Sequence, residues 1–165
     1  MSKVITLSLT PADMERAIQE IEAFEKYLTE KTNELLQRLA EIGVEVMRVK
    51  FGNATYDGTK EVDCSYMQGS DNSSVMVVAV GKSVLFIEFG SGILFPDAHP
   101  DPAAAMYPHG SWSESAEGKG HWDDPNGWYY AHGQKSYGNP ANMSMYQTIR
   151  DLEDRFEEIV RSVFV

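Results

Sequence analysis

The sequence is poor in cysteine, in basic residues and in long apolar runs, and each shortage excludes a class of protein. The one cysteine, Cys64, cannot form an internal disulfide, so nothing indicates an oxidising compartment. Lysine and arginine number 14 against 25 acidic residues, and a net charge of −11 disfavours sequence-independent binding to DNA phosphates. No apolar run reaches the roughly 18 residues that cross a bilayer. The N-terminal residues do not resemble a signal peptide, so we expect cytoplasmic synthesis and no membrane partner.

Near the N-terminus the sequence predicts a long amphipathic helix. Residues 4–9 are β-branched and apolar and predict a short strand ahead of it. Thr10 can accept from early backbone N–H groups, and Pro11 suits the first helical turn. Apolar residues then recur at steps of three and four, which predicts one helix running to about Val49. A helix of this length exceeds what the core of a small domain requires.

A second amphipathic helix is predicted at the C-terminus. Asn139 would be its N-cap and Pro140 its first helical residue. Apolar residues again recur at steps of three and four, and the helix is expected to end at about Val163.

The middle of the chain has the pattern of strands. Residues 61–67 and 74–80 predict two strands separated by a polar turn. Gly81 and Lys82 match a two-residue type II′ turn, after which residues 84–89 predict a third strand. This third strand is apolar on both faces apart from one glutamate, which is typical of a central, covered strand.

Residues 91–138 show no periodicity and contain all four histidines and all three tryptophans of the chain. Irregular segments of this length in a compact domain are usually functional, or ordered only when bound. Tryptophan and tyrosine anchor interfaces, so we interpret this segment as an assembly loop. Its histidines and tryptophans are His99, His109, His121, His132, Trp112, Trp122 and Trp128.

These elements predict a single α+β domain spanning residues 1–165. We expect an antiparallel β-sheet packed by the long N-terminal helix and the C-terminal helix, with a long aromatic and glycine-rich loop. The parts are residues 1–50 (strand and long helix), 51–90 (β-sheet), 91–138 (assembly loop) and 139–165 (C-terminal helix).

No pattern of catalytic or metal-binding residues is found, and we predict neither an enzyme nor a cofactor. The histidines are ten to twelve residues apart, whereas zinc sites place at least two ligands close together. Cys64 has no marker of activation. Glu88, on the apolar run, is a candidate for acid/base chemistry with an aspartate partner. The preferred alternative is that it pairs with an arginine or caps backbone N–H groups.

Three strings of residues, in this order, resemble one family. Residues 51–58 are FGNATYDG, residues 84–92 are VLFIEFGSG, and residues 138–146 are GNPANMSMY. Together with the closing helix, they resemble the head–tail joining, or tail-completion, proteins in the neck of long-tailed bacteriophages and related prophages. The resemblance extends over nearly the whole chain. Ser144 stands where the family often has proline.

The resemblance implies an α+β subunit of the virion that assembles into a ring, commonly six-fold, between the head connector and the tail tube. Double-stranded DNA would pass through the ring without specific binding. No catalytic residues are implied. Our hypothesis for the contacts between subunits names Phe86, Glu88, Phe89, Trp112, Trp122, Trp128, Tyr129, Tyr130 and Tyr146.

Three other functions remain open at this point. A tail-terminator ring, which caps the tail tube, is closely related to the joining role. A metal-dependent hydrolase using Glu88 and the loop histidines is a second alternative. A carbohydrate-binding module of the virion, using the loop tryptophans, is a third.

Overall fold

The chain folds as a mixed helix and strand protein in the order α1, β1, β2, α2, β3, β4, α3. The computed structural model describes residues 10–70, 73–90, 128–129 and 135–165. The elements are α1 (Pro11–Asn53), β1 (Asp63–Gln68), β2 (Val75–Val80), α2 (Val84–Phe89), β3 (Trp128–Tyr129), β4 (Lys135–Ser136) and α3 (Ser144–Phe164). The strand predicted at residues 4–9 lies outside the described residues.

Helix α1 begins where the sequence predicts and runs four residues past Val49. The Thr10 side chain accepts from the backbone N–H of Asp13 at 3.3 Å, and its hydroxyl donates to the Asp13 carboxylate at 2.6 Å. Pro11 occupies the first turn, where its missing N–H costs nothing. With 43 residues, α1 is about 65 Å long.

Strands β1 and β2 form the predicted antiparallel hairpin. Their register pairs Asp63 with Val80 at one end and Gln68 with Val75 at the other. Residues that pair across the two strands share a face of the hairpin. Cys64 is buried on the face that packs against α1, and the opposite face points away from the helix.

The prediction of a third strand at residues 84–89 is wrong, because these residues form the short helix α2. Gly81 has a positive φ of 153°, and a Cβ there would lie 1.8 Å from the Glu61 carbonyl oxygen, so this turn admits only glycine. The Ser83 hydroxyl donates to the same carbonyl at 3.1 Å. Helical geometry then buries Val84 and Ile87, three residues apart. Periodicity alone does not separate a short apolar strand from a buried helical turn.

The predicted start of the C-terminal helix is also wrong. Helix α3 begins at Ser144, after Met143, which adopts a left-handed conformation with φ 54° and ψ 39°. Asn139 and Pro140 lie in the extended approach to the helix. The end agrees with expectation, because α3 continues to Phe164.

The core lies where the C-terminal half of α1, the hairpin, α2 and α3 meet. Its buried residues are Val44, Met47, Phe51, Ala54, Cys64, Val84 and Ile87. A Cβ on Gly43 would lie 3.1 Å from Val77 and 3.2 Å from Leu152, so the absence of a side chain lets β2 and α3 approach α1 closely.

Helix α3 runs antiparallel to α1 and covers only half of it. The segment just before α3 is hydrogen-bonded to Thr55, which lies just past the end of α1. Further along α3, Asp151 forms a salt bridge with Lys50 at 3.0 Å, and Leu152 lies beside Gly43. With 21 residues, α3 is about 32 Å long, so residues 11–32 of α1 extend beyond it. All residues from 21 to 30 are exposed.

Candidate functional site

A polar cluster joins the segment after α1, helix α2 and the approach to α3. We call it the polar anchor, and it consists of Thr55, Asp57, Glu88, Ser136, Asn139 and Asn142. Each member forms a hydrogen bond, through its side chain or its backbone, with a residue more than 50 positions away in the sequence. It therefore joins the parts of the chain that precede and follow residues 91–134.

Asp57 holds the segment from Ser136 to Asn139. The Ser136 hydroxyl donates to one carboxylate oxygen of Asp57 at 2.6 Å, and the Asn139 amide donates to the other at 2.8 Å. In return the backbone N–H of Asp57 donates to the Asn139 side-chain oxygen at 2.8 Å. Ser136 and Asn139 are buried, so these bonds satisfy polar groups that would otherwise be costly.

The side-chain amide of Asn142 forms two hydrogen bonds with the backbone of Thr55, as the backbone of a paired β-strand would. Its side-chain oxygen accepts from the Thr55 N–H at 2.9 Å, and its side-chain nitrogen donates to the Thr55 carbonyl at 2.8 Å. The Asn142 backbone N–H donates to the carbonyl of Ile87 at 2.8 Å. One residue therefore links the segment after α1 with α2 and with α3.

Glu88 caps helix α3. Its two carboxylate oxygens accept from the backbone N–H groups of Met145 at 2.7 Å and Tyr146 at 3.0 Å. The first N–H groups of a helix lack partners within the helix, and its N-terminus favours negative charge. These two effects explain how a carboxylate only 4% exposed is accommodated. The preferred alternative of the sequence analysis, capping of backbone N–H groups, is confirmed.

Gly90 brings the end of α2 against the approach to α3. It has φ 77° and ψ −178°, a region open essentially to glycine alone. A Cβ there would lie 2.8 Å from both the Ala141 nitrogen and the Asn139 oxygen. The two parts of the chain that flank residues 91–134 therefore lie side by side.

The structure describes some of the residues predicted at subunit contacts. Glu88 is buried within the subunit, where its carboxylate caps α3. Phe86, Phe89 and Tyr146 are partly exposed beside the polar anchor. Trp112, Trp122, Tyr130 and the four histidines lie outside the described residues. For Trp128 and Tyr129 the backbone is described, and it pairs with Ser136 and Lys135 in the β3–β4 hairpin.

Sequence reasoning missed five of the six members of the polar anchor. Four of them lie inside the strings that carry the family resemblance, but a string does not reveal which group a side chain reaches: Thr55, Asp57, Asn139 and Asn142. Ser136 stands outside those strings. The signal that could have indicated them is the density of Asn, Asp and Ser near turns, where such side chains bond to backbone groups.

Beside β1 lies a small cavity that carries two cationic side chains. Its volume is about 120 Å³, and it is lined by Arg48, Phe51, Gly52, Lys60, Val62 and Cys64. Arg48 donates to the Cys64 carbonyl at 2.9 Å, and Lys60 donates to the Gly52 carbonyl at 2.7 Å. Burial raises the pKa of the Cys64 thiol, and the nearby Arg48 only partly opposes that effect. A thiol held protonated in this way is a poor nucleophile.

Within the described ranges, no group of three or more His, Cys, Asp or Glu side chains could hold a metal ion. The helices in the same ranges include none that is long and apolar enough to cross a membrane. No family model matches the chain, and no curated protein or solved structure is significantly similar to it.

Proposed function

We propose that this chain is a structural subunit of a tailed-bacteriophage neck, forming a ring that joins or completes the tail at the head–tail interface. The partners in this proposal are further copies of the chain, the head connector or adaptor proteins, and the tail tube or its terminator. Double-stranded DNA passes through the ring without specific binding. The protein is assembled in the host cytoplasm and resides in the virion.

The observation that carries the proposal is the polar anchor at the base of residues 91–134. Residues 91–134, which include all three tryptophans, stand between Gly90 and Lys135 in the sequence. Glu88, Asn139 and Asn142 fix both flanks through hydrogen bonds of 2.7–3.0 Å. Flanks fixed in this way suit a segment that contacts neighbouring subunits, because the flanks themselves lose little conformational freedom on binding.

The length of α1 gives separate support. A ring subunit needs two unlike surfaces that meet head to tail and close by rotation. Residues 11–32 of α1 extend beyond α3, and every residue from 21 to 30 is exposed. This exposed part of the helix is available for contact with a neighbour.

The acidity of the chain suits a channel for DNA. A net charge of −11 repels phosphates and would leave the duplex free to slide through the ring. The exposed face of α3 carries Glu153, Asp154, Glu157 and Glu158. Replacing these four by lysine is expected to slow DNA ejection. Ejection at the wild-type rate would contradict the channel role of this face.

The tail-terminator ring remains the alternative function, since it requires the same kind of subunit. In the hydrolase alternative the acid would be Glu88, whose two oxygens accept from helix N–H groups in this fold. A carbohydrate-binding role depends on the loop tryptophans, of which the structure describes only the backbone of Trp128.

Deletion of residues 100–125 tests the role of the loop. The deletion leaves the polar anchor and both helices intact, so we expect a folded monomer with an unchanged helical circular dichroism signal. We also expect it not to assemble with the tail tube and the head connector. Formation of a normal ring by the deleted protein, seen by electron microscopy, would contradict the assignment of this loop to assembly.

A further inference from the structure

The edge of β1 that faces away from β2 presents backbone groups that β2 does not pair. Gly69 donates its backbone N–H to the Ser74 carbonyl at 2.8 Å, which continues the β1–β2 register by one pair. Because hydrogen-bonded and non-hydrogen-bonded pairs alternate in an antiparallel ladder, every second residue of β1 directs its N–H and C=O groups away from β2. These residues are Cys64, Tyr66 and Gln68. Among the described elements, β1 has no strand neighbour other than β2.

Two hollows lie along this edge, and Arg48 lines both of them. One is the cavity of about 120 Å³ described above, which includes Cys64. The other, of about 420 Å³, lies between α1 and the middle of β1. It is lined by Glu41, Val44, Arg48, Ser65 and Tyr66. Cys64 and Tyr66 are two positions apart, which is also the spacing of side chains on one face of a strand. A strand added to this edge would therefore place one side chain in each hollow.

The other edge of the hairpin lies beside α3. A Cβ on Gly43 would be 3.1 Å from Val77 of β2 and 3.2 Å from Leu152 of α3, so β2 and α3 meet on that side of α1. The edge of β1 lies on the other side, along the hollow that Glu41 and Val44 line. Of the two edges, that of β1 is therefore the one that the described elements leave open to a further strand.

Residues 4–9 have the pattern that this edge requires. The sequence predicts a strand of six residues there, and β1 also has six. The side chains alternate, with polar Thr6 and Ser8 on one face and apolar residues on the other. The apolar residues of that face are Ile5, Leu7 and Leu9. Such alternation is typical of a strand with one face covered, and a strand needs a neighbour to pair its backbone groups.

Residues 4–9 of one copy cannot reach the hairpin of the same copy. Tyr66 lies beside Glu41 of the continuous helix α1, and Glu41 is about 45 Å along that helix from Pro11. The end of β1 at Gln68 is at most about 7 Å nearer. The stretch from Val4 to Thr10, even when fully extended, spans at most about 22 Å. A strand formed by residues 4–9 can therefore pair with β1 only in another copy of the chain.

We propose that residues 4–9 of one copy add as a third strand to the β1 edge of the next copy, with Ile5, Leu7 and Leu9 facing α1 of that copy. The contact joins two unlike surfaces, so it repeats head to tail from copy to copy and suits a closed ring. Helix α1 is then the arm that carries the strand to the neighbour. This inference rests on the proposed function and names the contact that joins the subunits of the ring.

Two variants, each with a matched control, test this contact. The strand variant is Ile5→Asp/Leu7→Asp, and its control, Thr6→Asp/Ser8→Asp, adds the same charge to the polar face. The edge variant is Tyr66→Pro, which removes an N–H that points away from β2 and so leaves the β1–β2 ladder intact. Its control is Tyr66→Val, which keeps that N–H and favours a strand. Circular dichroism checks that each protein is folded, and sedimentation velocity measures its mass.

The wild type and both controls are expected to form assemblies larger than a dimer, in a concentration-dependent manner. The strand variant and the edge variant are each expected to sediment alone as a monomer of about 18.5 kDa. An equimolar mixture of these two variants is expected to form a dimer and nothing larger. In that mixture the edge variant supplies the one intact strand, and the strand variant supplies the one intact edge.

Other outcomes overturn the proposal. Assembly of either variant alone as in the wild type would place the contact elsewhere, and so would a mixture that stays monomeric. A monomeric Tyr66→Val protein would mean that the side chain of Tyr66, and not the backbone of the edge, makes the contact.

A wild type that is monomeric at every concentration also overturns the proposal, without overturning the neck function if it still forms a ring with the tail tube and the head connector. Loss of tail-tube binding in the strand variant of such a protein would identify the tail tube as the partner of residues 4–9.

Discussion

Replacing Glu88 by glutamine is expected to lower the free energy of unfolding by about 2–3 kcal/mol, the range of a hydrogen bond to a charged group. Glutamine keeps the shape of the side chain but offers one acceptor oxygen for two N–H donors, those of Met145 and Tyr146. The amide nitrogen would then face a helix N–H. The favourable contact between negative charge and the helix N-terminus is lost as well. Urea unfolding followed by far-ultraviolet circular dichroism measures the change.

Glu153→Gln is the matched control on the same helix. Glu153 contacts Arg150 on the surface, and both side chains are more than half exposed. An exposed pair of this kind contributes little, so we expect a change within about 0.5 kcal/mol. Equal effects of the two substitutions would contradict the capping role of Glu88 and would indicate a general dependence on acidic charge.

Replacing Gly90 by alanine is expected to be at least as damaging, at about 3 kcal/mol or more. The backbone of Gly90 lies in a region that strains any other residue by about 1–3 kcal/mol. In addition, the new Cβ would meet two backbone atoms, the Ala141 nitrogen and the Asn139 oxygen, at 2.8 Å. Backbone atoms cannot rotate away, so α2 and the approach to α3 would have to separate. The result should appear as a lower urea midpoint.

Gly52→Ala controls for the loss of a glycine in general. Gly52 lies in the last turn of α1, and a Cβ there would have no atom within 4 Å. We expect no loss, and a gain of up to about 1 kcal/mol, because alanine favours helix more than glycine does. A Gly90→Ala protein as stable as wild type would show that α2 and the approach to α3 are not tightly joined.

The long helix and the hairpin could be predicted from the sequence because their causes are local. Thr10 and Pro11 start α1 through bonds within one turn, and the apolar stripe has a helical period. The two strands of the hairpin differ from the predicted ranges by one or two residues at their ends. Local signals of this kind do not depend on the rest of the fold.

Helix α2 and the start of α3 could not be predicted, because they depend on tertiary contacts. Gly81 turns the chain against the Glu61 carbonyl, which lies in a segment 20 residues earlier. Asn139 looks like an N-cap, but its side chain bonds to Asp57 instead, and the left-handed Met143 then delays the helix to Ser144. The preference of asparagine for the N-cap position is overridden when a residue distant in the sequence forms hydrogen bonds with its side chain.

The candidate site could be predicted only in outline. Glu88 stands in an apolar run, and a buried carboxylate needs hydrogen-bond donors. The capping role could therefore be predicted from the sequence as one alternative. The pairing of Asn142 with Thr55 spans 87 positions of sequence and has no local signature. The assembly role of residues 91–138 stays a prediction.

The most direct test of the neck assignment is the mass of the purified protein in solution, measured by light scattering, alone and mixed with the cognate tail tube and head connector. The account predicts a stoichiometric ring in the mixture, with a mass that is a whole multiple of the 18.5 kDa subunit once the partners are subtracted. A protein that stays monomeric and binds neither partner would contradict it.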